Sequence, residues 1–414
     1  MPLIDAAYAT AAGLAAPALR RMLRRRVARG KEVADRLPER WGEDATLRPS
    51  GKLIWLHGAS VGEAVSLLPV LPLLTPVAHV LLTTGTVTSA QIVVQRLPGL
   101  GLHDRVTHRF VPLDVPAWVA RFLDHWRPDA AGFAESEIWP NTLSALSTRG
   151  IRALLLNARL SAGSAAGWAR VPGFARRNFG VFERVLAQSS EDASRLAVLG
   201  ARDVAVVGNL KFAAPPLPVA DGAAAALRLA IGTRPVWLAA STHPGEDIMV
   251  AAVHARLATA FPGLTTIIIP RHPDRGVSVA AEIGAVRGDA PADGGLWVVD
   301  TIGELGLFYR VVKIVFVGGS LVPHGGQNPL EAARLGCAVA VGPHCGNFVE
   351  PVRVLERAGA LVRVADPEAL GDWVATMLRD PSSCETIGRA GIVAASADPE
   401  LPKITADALL ALVT

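Results

Sequence analysis

Several short polar stretches, each following an apolar run, carry the side chains of this chain that could do chemistry. Ser60-Val61-Gly62-Glu63 follows Leu53-Ile54-Trp55-Leu56-His57. A turn of small residues between a strand and a helix exposes backbone N–H groups at the helix start, a setting suited to an anion or a reacting group. The same four residues fit a capping box, in which Ser60 caps the helix and Glu63 reaches back to the cap. The alternative makes Glu63 a carboxylate at a cleft rim, placed as general base for an acceptor hydroxyl. Glu135 and Glu137 form an i, i+2 acidic pair after Ala130-Ala131-Gly132-Phe133-Ala134, just before Pro140 can start a helix. Asn157-Ala158-Arg159-Leu160-Ser161 ends the next apolar run, and Arg159 could hold a carboxylate or phosphate in bidentate fashion.

A second series occupies the other half of the chain. Ser241-Thr242-His243-Pro244-Gly245-Glu246 repeats the arrangement of strand, polar turn and helix. Arg271 and His272 close the following apolar run, where a nucleotide phosphate would lie. Gly318-Gly319-Ser320 and then His324-Gly325-Gly326-Gln327-Asn328-Pro329-Leu330-Glu331 form the strongest local signature. Glycines there permit close backbone approach to a phosphate, Asn328 is placed to cap a helix, and Glu331 could accept hydrogen bonds from a ribose diol.

The elements that must position these residues are legible from periodicity. Apolar, β-branched runs alternating with helical stretches predict parallel sheets covered by helices, an α/β architecture. Strands are expected over 53–57, 79–84, 109–113, 130–135, 153–158, 184–188 and 204–208, then over 236–240, 265–270, 296–300, 313–319, 338–342 and 361–365. Helices are expected over 116–126, 191–200 and 246–261, with a final helical stretch over about 383–413 that could cross back to the first half. The Pro-rich segment 213–222 reads as a linker between a domain of residues 32–212 and one of 223–414. Two doubly wound domains imply a ligand cleft between them, because such sheets bind ligands beyond the carboxyl ends of their strands.

Composition narrows the function. The chain has 414 residues, half of them apolar and 19% charged, which excludes a disordered or fibrous protein. Its net charge of +4 is uneven: Arg20, Arg21, Arg24, Arg25, Arg26, Arg29 and Lys31 face a single acid, Asp5, within residues 1–31, and the rest carries a formal −2. A nucleic-acid-binding body is therefore excluded as a reading. Residues 1–19 are apolar and Ala-rich with the arginines after them, the reverse of a secretory signal. Cations after a short apolar helix suit the cytoplasmic leaflet of a membrane, as an anchor that spans or lies on the surface; the other reading is a soluble helix with a solvated basic face. Cys337, Cys345 and Cys384 include no CxxC pair and match a reducing compartment. The chain has neither GxxxxGK[ST] nor GxGxxG after its first strand, which argues against an NTPase or a dinucleotide dehydrogenase. With no HExxH or zinc-spaced Cys/His cluster, and with His243, His272, His324 and His344 on different loops, no bound metal is expected.

Taken together the motifs resemble the bacterial 3-deoxy-D-manno-octulosonic acid (Kdo) transferases. The resemblance runs from the apolar and basic N-terminus through Arg36-Leu37-Pro38-Glu39-Arg40-Trp41-Gly42, Ser60 to Glu63, Glu135 to Asn141, Asn157 to Ser161, Gly208 to Phe212, Ser241 to Glu246, Pro270 to Pro273, Gly303 to Gly306, Gly318 to Glu331 and Gly342 to Phe348. It implies a GT-B fold of two Rossmann-like domains, the first for a lipid acceptor and the second for a nucleotide sugar. It further implies an inverting transfer of Kdo from CMP-Kdo to the 6′-hydroxyl of a tetraacyl lipid A disaccharide precursor at the cytoplasmic face of the inner membrane, beside anionic lipid. Glu63 falls on the family's general base, with Ser60, Gly62, Glu135, Glu137 and Arg159 on the acceptor side or in support. Lys211, Ser241, Thr242, His243, Glu246, Arg271, His272, Gly303, Glu304, Gly318, Gly319, Ser320, Asn328 and Glu331 fall on nucleotide-sugar motifs, Glu331 being the natural ribose ligand. No cofactor and no metal are implied, because cations and helix N-termini neutralise the leaving phosphate. Two departures stand out: Gln327 occupies a position where the family usually has His, and Ser136 and Ile138 replace Thr and Leu. A UDP-sugar enzyme of the same fold, or a catalytically dead membrane-associated binding protein, are the competing readings; retention of Glu63, Arg271 and Glu331 argues against the latter.

Overall fold

The structure, a computed structural model, describes residues 3–213, 217, 219–301, 303–396 and 400–413. Of the linker expected over 213–222, positions 214–216 and 218 lie outside the described residues, as do 397–399 of the final helical stretch. The chain divides into two compact units, Met1–Ala214 with Ala397–Thr414, and Pro215–Ser396.

Among the described residues the first unit holds a seven-stranded sheet: β1 (Leu53–Gly58), β2 (His79–Thr84), β3 (Val106–Phe110), β4 (Ala130–Ala134), β5 (Arg152–Ala158), β6 (Phe182–Ala187) and β7 (Val204–Val206). All pairings are parallel and the order is β3-β2-β1-β4-β5-β6-β7. Every residue of β1 is buried, as expected of a central parallel strand with helices on both faces. Ile54 and Leu56 face a core shared with Leu67, Leu71 and Leu409, while Leu53 and Trp55 face one shared with Phe122, Trp126 and Phe182. The period-2 alternation thus splits one strand between two cores.

The second unit repeats the plan with β8 (Val236–Thr242), β9 (Thr265–Pro270), β10 (Val286–Arg287), β11 (Gly295–Val298), β12 (Ile314–Val317), β13 (Ala338–Val341) and β14 (Leu361–Arg363), in the order β10-β11-β9-β8-β12-β13-β14. In each sheet the chain starts in the middle, winds one way, then returns to the other side of its first strand. The reversal points, between β1 and β4 and between β8 and β12, are where loops diverge at the carboxyl ends and leave room for a ligand.

Most expected elements are present. The helix Pro116–Trp126 has the expected bounds, with Pro116 in its first turn and Trp118, Val119, Phe122, Leu123 and Trp126 buried. The third strand differs: it was expected over 109–113 but runs Val106–Phe110, with alternating burial. Pro112 has no N–H for a ladder, and the polar Thr107, His108 and Arg109 of this edge strand hide its period. The final stretch consists of two helices, Pro381–Ala394 in the second unit and Leu401–Leu410 in the first, where Leu401, Ala406 and Leu409 enter the core beside Ile54 and Leu56.

The N-terminal apolar and basic stretch forms one helix, Leu3–Val27, which buries Leu23. Side chains dock it: Tyr8 Oη donates to Asp114 Oδ2 at 3.1 Å, Arg177 pairs with Asp5 at 2.6 Å, and the Arg20 guanidinium lies 4.7 Å from the Trp41 ring centre. Burial and the neighbouring Asp114 push the Tyr8 hydroxyl up to about 12. No helix among the described residues is long and apolar enough to cross a membrane.

Candidate active site

In the first unit, β1 ends at Gly58 and the helix Val61–Leu67 begins three residues later. Ser60 is its N-cap, its Oγ accepting from Glu63 N–H at 3.3 Å and donating to Glu63 Oε1 at 2.7 Å. Ala59 N–H donates to Glu63 Oε2 at 2.8 Å. Ser60 therefore caps the helix as expected, but the Glu63 carboxylate reaches back to the Ala59 N–H and the Ser60 hydroxyl rather than to the Ser60 N–H that a capping box would use. Glu63 nonetheless remains half-buried rather than enclosed, and it stands among other carboxylates. Burial first, then the negative fields of Glu135 and Glu137, raise its pKa, while the hydrogen bonds from Ser60 and Ala59 oppose the rise.

The neighbouring acids leave β4, on the other side of the reversal point. Glu135 takes a left-handed backbone, φ 56°, which directs the chain sharply out of the sheet. It forms an ion pair with Lys211. Glu137 Oε2 accepts from Trp139 Nε1 at 2.7 Å and lies 3.3 Å from Nε2 of the fully buried His57. Burial pushes the Glu137 carboxyl up, but His57 and Trp139 outweigh it and hold the pKa below its ordinary value.

Asn157, also left-handed at φ 50°, ends β5 and organises the chain that brings Lys211 in. Its Oδ1 accepts from Leu210 N–H at 2.9 Å, and its backbone carbonyl accepts from Gln188 Nε2 at 2.9 Å. A Cβ on Gly62 would stand 3.4 Å from Lys211 Cε, so the lysine stem lies over that glycine. Lys211, expected with the nucleotide-sugar residues, thus makes its contacts in the carboxylate cluster of the first unit, because the turn Leu210–Ala213 packs on the helix Val61–Leu67. Arg159 stands half-buried beside the cluster, its backbone N–H 3.5 Å from the Glu135 carbonyl. A cavity of about 300 Å³, lined by Tyr8, Pro140, Asn141 and Arg149 among others, contains none of these carboxylates.

In the second unit the loops after β8 and β12 interlock. Ser241 is left-handed at φ 58°. Gly318 is required by closeness: a Cβ there would meet Ser241 O and Thr242 Cα at 2.8 Å. Glu246 is wholly buried beneath the loop and accepts backbone N–H bonds from His243 (2.9 Å), Gly319 (2.6 Å), Ser320 (3.0 Å) and Leu321 (2.9 Å). Expected to touch the nucleotide sugar, it instead serves as the internal strut of the Gly318-Gly319-Ser320 loop. Asp247, also fully buried, accepts from Thr242 Oγ1 at 2.6 Å and pairs with Arg275.

Three histidines from different loops come together here. The His243 ring stacks on His324 at 4.2 Å and meets His272 edge-on at 6.1 Å. Gln327 Nε2 donates to His243 Nε2 at 3.0 Å, which makes that nitrogen the acceptor and leaves the proton of the neutral ring on Nδ1. Burial, then His324, His272, Arg271 and Arg275, push the His243 pKa down to about 4. Gln327 thus does through an amide what needs no titratable ring. Asn328 Oδ1 accepts from Leu330 N–H at 3.1 Å at the start of the helix Leu330–Arg334, which carries the half-buried Glu331 in its first turn. Arg271 follows β9, half-buried, with its N–H bonded to the Thr242 carbonyl at 2.9 Å. Gly303 and Glu304 lie exposed after β11, two strands from β8. Among the described residues no three His, Cys, Asp or Glu side chains form a metal-ligand group.

Asp247, Arg275, His57 and Gln188 were not foreseen as partners. His57 offered a signal, a polar residue at the end of an apolar run.

The chain is 34% identical over 398 residues to a probable 3-deoxy-D-manno-octulosonic acid transferase, mitochondrial, of Arabidopsis thaliana, covering 90% of this chain and 88% of that one. It belongs to the Kdo transferase family. The family model for 3-deoxy-D-manno-octulosonic-acid transferase matches residues 35–214. A 3-deoxy-D-manno-octulosonic acid transferase of Bordetella pertussis is 33% identical over 393 residues, with 90% of each chain covered. The protein is thus a glycosyltransferase. Its fold is of the GT-B kind: UDP-GlcNAc 2-epimerase of Neisseria meningitidis superposes with a TM-score of 0.61 at 15% identity, covering 87% of this transferase and all of the epimerase.

Proposed function

We propose that this Kdo transferase moves Kdo from CMP-Kdo to the 6′-hydroxyl of a tetraacyl lipid A disaccharide precursor, with inversion and with Glu63 as general base. The observation that carries the reading is Glu63 itself, a half-buried carboxylate beside a sheet reversal point whose pKa is raised by burial, Glu135 and Glu137. A base for a sugar hydroxyl works best when its pKa is lifted toward the working pH while it remains ionised there. The acceptor oxygen attacks the anomeric carbon of Kdo as its proton passes to Glu63. The bond from that carbon to the phosphate oxygen breaks, and CMP leaves with the electron pair. Glu135 with Lys211, Glu137 with His57, and Arg159 shape the acceptor side.

CMP-Kdo is assigned to the second unit. Arg271 and His243 as an Nδ1–H donor support a phosphate site there, Gly319 and Ser320 shape the loop beside it while their N–H groups stay on Glu246, and Glu331 is assigned to the ribose. Glu246 sets the shape of that loop. The reading includes no cofactor and no metal, so transfer is expected to persist in EDTA. The basic helix Leu3–Val27 would hold the enzyme at the anionic cytoplasmic face of the inner membrane, each cation near the surface contributing about 1 kcal/mol.

The test is transfer from CMP-Kdo, generated in situ, to a tetraacylated lipid A precursor, with wild type and Glu63→Ala side by side. Loss of transfer by ~10²-fold or more with CMP binding retained supports the base; near-wild-type transfer reduces Glu63 to a helix cap. An inert wild type that accepts UDP-sugars overturns the donor.

A further inference from the structure

The segment Arg36 to Gly42 belongs to neither cluster, yet it contains one of the most enclosed charges in the chain. Arg40 is 2% exposed. Its Nη2 lies 3.1 Å from Glu32 Oε2, and its Nε lies 3.2 Å from the same oxygen. Glu32 is itself buried and also accepts from Arg26 Nε at 3.3 Å, at the basic end of the first helix. The Arg40 guanidinium lies 4.4 Å from the Phe110 ring centre, and Nη1 donates to the Val111 carbonyl at 3.3 Å. An ion pair would satisfy the buried charge, but the arginine reaches further. Nη2 also donates to the Gly85 carbonyl at 2.7 Å, in the loop leaving β2.

From there the contacts run to the proposed base. Gly85 N–H donates to the Ala59 carbonyl at 2.9 Å, and Ala59 N–H donates to Glu63 Oε2 at 2.8 Å. Ser89 Oγ donates to the same Ala59 carbonyl at 3.2 Å. The two loops touch so closely that a Cβ on Gly85 would stand 3.0 Å from Ala59 O and 3.2 Å from Ala59 Cα. Ala59, whose N–H makes one of the two hydrogen bonds on Glu63, is thus held through its carbonyl by a loop that Arg40 holds in turn.

We infer that Arg40 is a positioning residue for Glu63, acting through Gly85 and Ala59. The inference rests on the reading of Glu63 as general base. A positioned carboxylate is sensitive to small displacements, since about 1 Å of misplacement can cost on the order of 10²-fold in rate. Lysine has no planar fork with which to hold Glu32 and the Gly85 carbonyl together.

The experiment measures Kdo transfer against pH for wild type, Arg40→Lys, Gly85→Ala, Glu63→Gln and the double variant Gly85→Ala/Glu63→Gln. Arg40→Lys disturbs a buried ion pair and could fail to fold; Gly85→Ala leaves that pair intact and presses on Ala59 directly. The expected result is a fall in kcat of about tenfold for Gly85→Ala and for Arg40→Lys where it folds, with KM for CMP-Kdo unchanged within about twofold. The acid limb of kcat should move to higher pH, because the Ala59 hydrogen bond favours the ionised form of Glu63. Gly85→Ala should remove nothing further from the residual rate of Glu63→Gln. Wild-type kcat and an unmoved acid limb in Gly85→Ala, or an equal loss in both backgrounds, overturn the positioning role while Glu63 remains the base. Full transfer by Glu63→Gln is a different result: it overturns the base and, with it, this inference.

Discussion

Glu63 and Glu246 occupy matching places, each in the first turn of the helix that follows the first strand of its sheet, and their surroundings differ sharply. Glu246 is fully buried and takes four backbone N–H donors from its own helix start and the loop after β12. Glu63 takes one backbone N–H and one hydroxyl, stays half-buried, and faces two further carboxylates. One position in one topology therefore serves as a strut in one unit and, on the reading above, as a base in the other. Neighbouring donors fix an acid as architecture, whereas neighbouring acids leave it a place for a proton.

That contrast can be broken. Glu246→Ala leaves four backbone donors without an acceptor, each at about 1–3 kcal/mol, so a stability loss of about 4 kcal/mol or more is expected in urea unfolding followed through the buried Trp237. Glu63→Gln should cost about 1 kcal/mol or less in the same measurement, as a cap change, while lowering transfer by ~10²-fold or more. If Glu246→Ala and Glu63→Gln behave alike in unfolding, the distinction fails.

Three smaller effects sharpen it. A base must be ionised to act, and Glu63 is held toward its protonated form, so kcat/KM should rise with pH through an apparent pKa above the ordinary glutamate value of about 4.3. Lys211→Met removes the cation beside Glu135, strengthens the negative field on Glu63 and should move that acid limb to higher pH in the same profile. Trp139→Phe removes a donor that lowers the Glu137 pKa; carboxyl NMR should show that pKa rising, with transfer changed less than about twofold.

The fold was largely open to reading from sequence because central parallel strands are continuous apolar runs, and Leu53–Gly58 and His79–Thr84 announce themselves. Edge strands do not: the two-residue β10 was not foreseen and β3 was displaced onto a Pro-containing loop. At the sites, local spacing identified Ser60, Glu63, Glu135 and Glu137 but could not tell which carboxylate is enclosed. Glu246 looks in sequence like a second Glu63, and only the return of residues 319–321, more than 70 positions later, fills its oxygens. The pairing of Lys211 with Glu135 was hidden for the same reason, since Asn157, 53 positions from Leu210, holds that turn.

Glu135, Asn157 and Ser241 share the left-handed backbone at three strand ends, a conformation costing a non-glycine residue about 1–3 kcal/mol. Glycine would relieve each strain, but at Glu135 it would delete the Lys211 partner and at Asn157 the Leu210 acceptor. Any larger or β-branched residue would deepen it. Mutational drift at Glu135 and Asn157 is thus barred in both directions, and a saturation library should find these two nearly invariant for two unrelated reasons, backbone geometry against bulk and side-chain chemistry against glycine.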